Sequence, residues 1–259
     1  MAVILEGGCR VSSMHEGMPH VSGSLKVWNR VGRANGADAI SLRILEFGPG
    51  PSPVLRNREC DEVLYMLEDL EDETADACCS LTIDGSSHEV GPRTGVYLRP
   101  GQTLRVENSG PGTVTFVSSQ CPEEGFTTAD RSSLDQVALN DVSSIVRLSD
   151  RRALPTADRW YRVLVDDEIG SAQVTQFVGS IPPGRAPDHF HEYEEVLFIL
   201  RGEGRMWAGE TSTPIGPGSC IYLPRKQVHC VENTGTGELR LLGVFYPAGS
   251  PAVRYESAD

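Results

Sequence analysis

Residues 189–201 read HFHEYEEVLFILR, a stretch in which two histidines are followed by acids and then by an apolar run. In an extended chain alternate side chains point to the same face, so His189 and His191 can approach one ion from the same side. The run that follows has the length of a strand and meets no turn residue before Gly202. The stretch therefore predicts a metal site beside a buried strand.

Two further residues are candidates to complete this site. Glu195 shares the parity of the two histidines, whereas Glu194 takes its place if a turn around Glu192–Tyr193 breaks that parity. We predict Glu195 as the ligand. His229 lies on a later predicted strand, after a turn rich in Gly and Pro, and can close the site from across the sheet.

Three neutral imidazoles and one carboxylate suit a divalent transition metal such as Fe, Mn, Ni, Cu or Zn, with positions left open for water or substrate. The competing interpretation is that the histidines are structural, because an HxH pattern alone is a weak signal. Three of the six histidines of the chain fall at positions that a closed sheet brings together, which favours the metal site.

The sequence repeats itself at long range. GPGPSPVLRNRECDEVLYML (48–67) aligns without a gap with IPPGRAPDHFHEYEEVLFIL (181–200). GPRTGVYLRPGQTLRVENSG (91–110) aligns in the same way with GPGSCIYLPRKQVHCVENTG (216–235). Such self-similarity predicts two copies of one fold unit.

The first copy lacks the histidines. The alignment sets four of its residues against the predicted ligands, in chain order Arg56, Arg58, Glu62 and Leu104. An arginine cannot lose its proton to become a metal ligand, so we expect no ion in the first copy. Three interpretations of Arg56 and Arg58 remain open: one of them pairs with Glu62, the two bind an anionic ligand, or both point to solvent.

The rest of the chain is typical of an all-β protein. Short apolar runs are interrupted by Gly and Pro, which number 27 and 17 among 259 residues. Because neither copy shows covering helices, we expect each to close into a barrel or a two-sheet roll. We predict an N-terminal barrel over residues 1–122, a connector over 123–158 with a short helix near 132–140, and a C-terminal barrel over 159–259.

Charge and composition narrow the partners and the compartment. The formal net charge is −13, which disfavours nucleic acid and anionic membranes as partners. The start of the chain does not resemble a signal peptide and no apolar stretch reaches the length of a spanning helix, so we predict a cytoplasmic protein. The seven cysteines show no CxxC spacing, and we expect reduced thiols.

The second copy resembles the cupin family. The first cupin motif spans 184–202 and contains five spaced residues: Gly184, His189, His191, Glu195 and Gly202. Residues 218–233 are similar to the second motif, although the usual Pro-x-Gly-x-x-His turn reads PRKQVH and lacks its glycine. The resemblance implies a two-domain cupin with tandem jelly-roll (double-stranded β-helix) barrels and one metal ion in the second barrel. The implied ligands are His189, His191, Glu195 and His229.

The resemblance also implies a range of functions. The first expectation is a metal-dependent dioxygenase that acts on a small aromatic or enolisable substrate, with Glu195 as base as well as ligand. The alternatives are a redox-neutral metalloenzyme, such as an isomerase, cyclase, decarboxylase or hydrolase, and a binding protein without turnover. We predict Tyr193 and Tyr222 as further catalytic residues, because a phenol can donate or orient a proton. A homodimer is also expected.

Overall fold

A computed structural model describes residues 1–68, 78–124 and 144–252 of the chain. The helix predicted near 132–140 lies outside these residues. Helical structure in the described part is limited to short 3-10 turns, at Glu6–Gly8, Arg33–Asn35, Leu148–Asp150 and Asp167–Ile169. None of the helices in these residues is long and apolar enough to cross a membrane.

The strands of the first half are short, as the apolar runs between turn residues predict. In chain order they are β1 (Val3–Ile4), β2 (Arg10–Ser13), β3 (His20–Ser22), β4 (Leu25–Val31), β5 (Leu42–Phe47), β6 (Gly50–Pro51), β7 (Leu55–Arg56), β8 (Asp61–Met66), β9 (Cys79–Ile83), β10 (Ser86–Val90), β11 (Thr94–Leu98), β12 (Thr103–Asn108) and β13 (Val114–Cys121). Strands β3, β4, β5, β13, β8 and β11 lie in one sheet, which faces a second sheet built from β6, β7, β12, β9 and β10.

The strands of the second half follow the same plan. They are β14 (Ile145–Arg147), β15 (Leu154–Thr156), β16 (Arg159–Val165), β17 (Thr175–Ile181), β18 (Gly184–Arg185), β19 (Glu194–Arg201), β20 (Gly204–Ala208), β21 (Thr211–Ile215), β22 (Ser219–Leu223), β23 (His229–Asn233) and β24 (Leu239–Tyr246). The large sheet orders β22, β19, β24, β17, β16 and β15, and the small sheet orders β18, β23, β20 and β21. The predicted all-β architecture of two tandem barrels is confirmed.

Some strands cross between the halves. β1 and β2 extend the large sheet of the C-terminal barrel, because Arg10–Ser13 pairs with β22. β14 pairs with β11 in the N-terminal barrel, although it falls in the predicted connector. The division of the chain at residues 122 and 159 therefore stays a prediction. Across it, β1 and β2 join the sheet of the C-terminal barrel, and β14 joins the sheet of the N-terminal barrel.

The hydrophobic core has three parts, which explains why β19 is apolar without alternation. One cluster fills the C-terminal barrel and includes Leu197 and Ile199, and a second fills the N-terminal barrel. The third lies between the two large sheets and includes Val196 and Phe198. Because β19 is covered on both faces, both sets of its side chains are apolar.

The strand ladders correct the alignment of the two copies by one residue. His189 pairs with His229, and the equivalent pair in the first barrel is Leu55 with Leu104. Beyond this segment the predicted alignment holds: Glu195 pairs with Leu223 as Glu62 pairs with Leu98. The first copy therefore has one extra residue before Glu62, which a gap-free alignment cannot show.

This shift changes the counterparts of the histidines. Leu55 and Asn57 correspond to His189 and His191, so the predicted match to the two arginines is wrong. Arg56 alternates with the buried Leu55 along the strand and is half-buried, and Arg58 is exposed.

Candidate metal centre

Backbone pairing between two segments places two of the predicted ligands side by side. The amide of His189 donates to the carbonyl of His229 at 3.1 Å, and the amide of His229 donates back at 2.8 Å. His191 follows two residues after His189 and points to the same face, as the alternation predicts. The geometry therefore depends on pairing between two neighbouring segments that are distant in sequence.

The three imidazoles converge. Their possible ligand nitrogens all lie within 4.8 Å of one another, and the ring centroids of His189 and His229 are 4.5 Å apart. His191 and His229 are buried, whereas His189 is half-buried at the entrance. Three nitrogens this close can serve one ion.

Glu195 faces the same point from the floor of the barrel. Its Oε2 atom lies 3.7 Å from Nε2 of His191 and 3.6 Å from Nε2 of His229. This oxygen is buried and has no hydrogen-bond partner among the described residues. Burial raises the pKa of Glu195 to about 8. The structure thus supports the predicted parity, since Glu195, not Glu194, faces the histidines.

Carbonyl oxygens orient two of the rings. Nδ1 of His229 lies 2.8 Å from the carbonyl oxygen of Gln227, and Nδ1 of His189 lies 3.1 Å from that of Pro187. A carbonyl only accepts, so Nδ1 carries the proton and Nε2 keeps its lone pair for a ligand bond. Burial, together with the neighbouring imidazoles, holds the pKa of His229 well below its usual range. The neutral form, which binds metal, is therefore favoured.

A small cavity of about 90 Å³ opens beside the four side chains. Phe177 and Phe245 form part of its wall, with ring centroids 4.9 Å apart. Tyr193 stacks on His191 at 4.8 Å and donates its hydroxyl to the carbonyl of Ser250 at 3.2 Å. Tyr193 therefore packs against the ring of His191 and does not line the cavity with its hydroxyl.

Arg159 also lines this cavity, and sequence reasoning missed it. Its side chain is 13% exposed and pairs with Asp158 at 3.4 Å. The residue starts β16, which no motif marks. Its place could have been found only from the strand order, which brings β16 beside β17.

Tyr222 is placed away from the cavity. Its hydroxyl donates to Glu194 at 2.6 Å, in the cluster between the two large sheets. The carboxylate of Glu194 also accepts from the amides of Asp38 and Ala39 at 2.8 Å each. Alternation along β22 and β19 turns Tyr222 and Glu194 outward, so the predicted catalytic role of Tyr222 finds no support in this geometry.

The first barrel carries a different group at the equivalent position. Glu62 accepts hydrogen bonds from the guanidinium of Arg43 and from the hydroxyl of Ser118. Arg43 and Glu62 are almost fully buried, with side chains 5% and 3% exposed. The predicted pairing of Glu62 with Arg56 or Arg58 is therefore corrected: the partner is Arg43, which the alignment did not consider because it lies on β5, outside the aligned blocks.

Comparison with known proteins agrees with this architecture. Residues 177–245 match the family model described as Cupin domain. The chain is 36% identical over 67 residues to an oxalate-binding protein of Thermotoga maritima, covering 25% of this chain and 55% of that protein. It is 32% identical over 86 residues to auxin-binding protein 1 of Arabidopsis thaliana, covering 29% and 43%. The chain thus spans about half the length of these relatives.

Solved structures match over nearly the whole chain. A point mutant of Bacillus subtilis oxalate decarboxylase superimposes with a TM-score of 0.72 at 14% identity, covering 93% of this chain and 78% of that one. The putative glyoxylate-induced protein of Pseudomonas aeruginosa gives 0.72 at 16% identity, covering 96% and 93%. At such identities the likeness concerns the fold. The C-terminal barrel is thus a cupin domain, and the whole chain has the fold of a two-domain cupin.

Proposed function

We propose that the C-terminal barrel binds one divalent transition metal and uses it to hold and convert a small molecule that carries a carboxylate. The proposed ligands are those of the predicted set, His189, His191, Glu195 and His229. The reaction is proposed as redox-neutral, which favours the second of the sequence-based expectations over a dioxygenase.

The observation that carries the proposal is the environment of Glu195. A buried carboxylate without a hydrogen bond is costly, because its charge is removed from water and not compensated. The groups that face it are two imidazole nitrogens at 3.6 and 3.7 Å, both suited to bind a cation. A divalent ion between them would compensate the carboxylate and use all three imidazole lone pairs.

The class of substrate follows from the cavity. A volume of about 90 Å³ is several times smaller than the pockets of roughly 300–1,000 Å³ that take drug-sized ligands. A substrate with few heavy atoms is therefore favoured over a large aromatic one. Arg159 places a guanidinium at the wall, and a planar carboxylate is the group that a guanidinium binds best. The similarity to an oxalate-binding protein points the same way.

Each side chain has a distinct part in this proposal. A bound divalent ion would supply Lewis acidity toward a carboxyl or carbonyl oxygen of the substrate. Glu195 is a ligand and, as expected from the sequence, a candidate base at the floor of the cavity. Arg159 would bind and orient the substrate. Phe177 and Phe245 exclude water from the cavity, and Tyr193 acts as a positioning residue by holding the ring of His191.

The metal content of the purified protein tests the first half of the proposal. We expect close to one equivalent of a transition metal per chain, measured by elemental analysis. His191→Ala should lose it. His88→Ala is the matched control, because His88 is exposed on β10 and should leave the metal unchanged. Equal metal content in the two variants would contradict the proposed ligands.

A panel of small mono- and dicarboxylates, oxalate among them, tests the second half. We expect turnover without oxygen consumption, and Arg159→Gln should weaken substrate binding at least tenfold, whereas the remote Arg205→Gln should not. Oxygen uptake that depends on His191 would favour the dioxygenase instead. Tight binding without product would favour a binding protein, the second candidate, which the similarity to two binding proteins supports.

A further inference from the structure

A second cavity lies between the two barrels, on the opposite face of the large C-terminal sheet from the metal centre. Its volume is about 350 Å³, which is in the size range of small-molecule sites. Val178 lines this cavity and the adjacent Phe177 lines the metal cavity, so the two are separated by one sheet. Tyr65 of the N-terminal barrel forms part of the wall, and both halves of the chain therefore contribute to it.

Positive charge is concentrated in this cavity. Four of its lining residues are arginines: Arg93, Arg162, Arg201 and Arg240. Arg201 and Arg240 are directly opposite each other in the β19–β24 ladder, which brings two guanidinium groups to the same side of the cavity. Such a cluster is unexpected in a chain with a net charge of −13.

Two carboxylates pair with two of these arginines, and a third arginine donates to a neutral carbonyl. Glu68 pairs with Arg93, and Glu238 beside the cavity pairs with Arg240 at 3.2 Å. Arg162 donates one nitrogen to the carbonyl of Leu148 at 3.0 Å. Among the described residues no carboxylate pairs with Arg162, so its charge favours an anionic ligand in the cavity that it lines.

An indole completes the arrangement. The guanidinium carbons of Arg162 and Arg240 lie 5.5 and 5.8 Å from the ring centroid of Trp160. Both guanidinium groups thus contact the same indole, which orders them before any ligand binds. Preorganised donors of this kind lower the entropic cost of binding.

We propose that this cavity between the barrels binds a small organic anion that carries phosphate or carboxylate groups, held by Arg162, Arg201 and Arg240 beside Trp160. The three arginines and Trp160 belong to the C-terminal barrel, and Tyr65 and Arg93 of the N-terminal barrel complete the wall. Trp160 also lines the metal cavity, so the two sites share one side chain.

The test uses the full-length protein and three probes, inorganic phosphate, pyrophosphate and citrate, at constant ionic strength. Calorimetry should detect binding of at least one probe. Arg201→Gln and Arg162→Gln should each weaken it about tenfold, because each removes a charged donor. Arg205→Gln is the matched control, since Arg205 lies 5.8 Å from the ring centroid of Trp207 as Arg240 does from that of Trp160.

Two comparisons separate the outcomes. Pyrophosphate and citrate also bind metals, so the measurement is repeated with His229→Ala, in which binding at the arginines should persist. Preference for pyrophosphate indicates phosphorylated ligands, and preference for citrate indicates polycarboxylates. The proposal is overturned if no probe binds, if binding disappears with His229→Ala, or if Arg205→Gln weakens binding as much as Arg201→Gln. Arg201 is exposed, so this variant is expected to fold even if Arg162→Gln does not.

Discussion

The two barrels keep a carboxylate at the same buried position but surround it differently. In the first barrel Glu62 accepts from Arg43 and Ser118. In the second, the ladder positions of Arg43 and Ser118 are occupied by Phe177 and Gly243, which pair with each other in the same way. Glu195 thus has no guanidinium at the position that Arg43 occupies in the first barrel.

The two barrels differ in what surrounds the buried glutamate. A buried carboxylate needs a positive charge, and the first barrel carries that charge in its own chain. The second carries three imidazoles and a phenylalanine, so the proposed charge comes from an ion in solution. Loss of the histidines explains why the first barrel cannot bind a metal in the same way, and Arg43 explains how its glutamate remains buried.

The largest expected change in stability comes from breaking the buried Arg43–Glu62 pair of the first barrel. Arg43→Met leaves the Glu62 carboxylate buried without its cation, and removing one partner of a buried ion pair costs about 3–5 kcal/mol. Urea unfolding should show this loss. Arg58→Met is the control, because the exposed Arg58 side chain should change the free energy of unfolding by less than about 0.5 kcal/mol. A stable Arg43→Met protein would contradict the role given to Arg43.

The stability of the metal-free second barrel should depend on pH through Glu195. In the metal-free protein the pKa of Glu195 is raised from 4.5 to about 8 by burial. The folded state then binds more protons than the unfolded state between these values, so stability falls as pH rises from about 4.5 to about 8. At about 1.4 kcal/mol per pH unit, the free energy of unfolding should be roughly 3 kcal/mol lower at pH 7 than at pH values below this range.

Glu195→Gln isolates this effect. The amide of the variant does not ionise, so the stability of the metal-free variant should not decline over this pH range. The difference in free energy of unfolding between the variant and the wild type should therefore widen as the pH rises. Denaturant unfolding at several pH values measures the slope. The added metal ion should remove the decline in the wild type, since it compensates the ionised carboxylate. Parallel curves for the two proteins would show that Glu195 does not titrate in this range.

A smaller change in stability is expected from a substitution at Gly243, which occupies the position of Ser118 in the second barrel. A Cβ atom at residue 243 would lie 2.3 Å from two carbons of the Phe177 ring, so Gly243→Ala must displace the ring. Overpacking of this kind costs about 1–3 kcal/mol. Gly179→Ala is the control in the same cavity, because its Cβ would lie 3.5 Å from its nearest neighbours. Adding Phe177→Leu to Gly243→Ala should restore most of the stability.

Much of this architecture could be predicted from the sequence, because local patterns determine it. The strand positions follow from short apolar runs between turns, and the parity of Glu195 follows from alternation along an extended chain. The repeat predicted two barrels. His189, His191 and His229 could be grouped because both segments belong to family-like motifs, and the structure brings their ligand nitrogens within 4.8 Å of one another.

The rest depends on pairing between distant strands, which a single sequence does not show. The extra residue before Glu62 is visible only in the ladder, so the alignment placed Arg56 and Arg58 opposite the histidines. Arg43 and Arg159 lie on strands outside the motifs and reach their sites through the sheet order. Tyr222 was predicted as catalytic because a phenol can donate or orient a proton, whereas the side of its strand decides its contacts.

The smallest expected change in stability concerns Tyr222 and Tyr97, which occupy equivalent positions in the two barrels. Tyr222 donates to Glu194 and Tyr97 donates to Asp61, both at 2.6 Å and both between the barrels. Burial and the hydrogen bond to Glu194 raise the pKa of Tyr222, which makes it a poor proton donor. Tyr222→Phe and Tyr97→Phe should therefore each cost about 1 kcal/mol of stability and leave metal content unchanged. If Tyr222→Phe instead lowers turnover more than tenfold at unchanged stability, Tyr222 belongs to the reaction and the comparison between the two tyrosines fails.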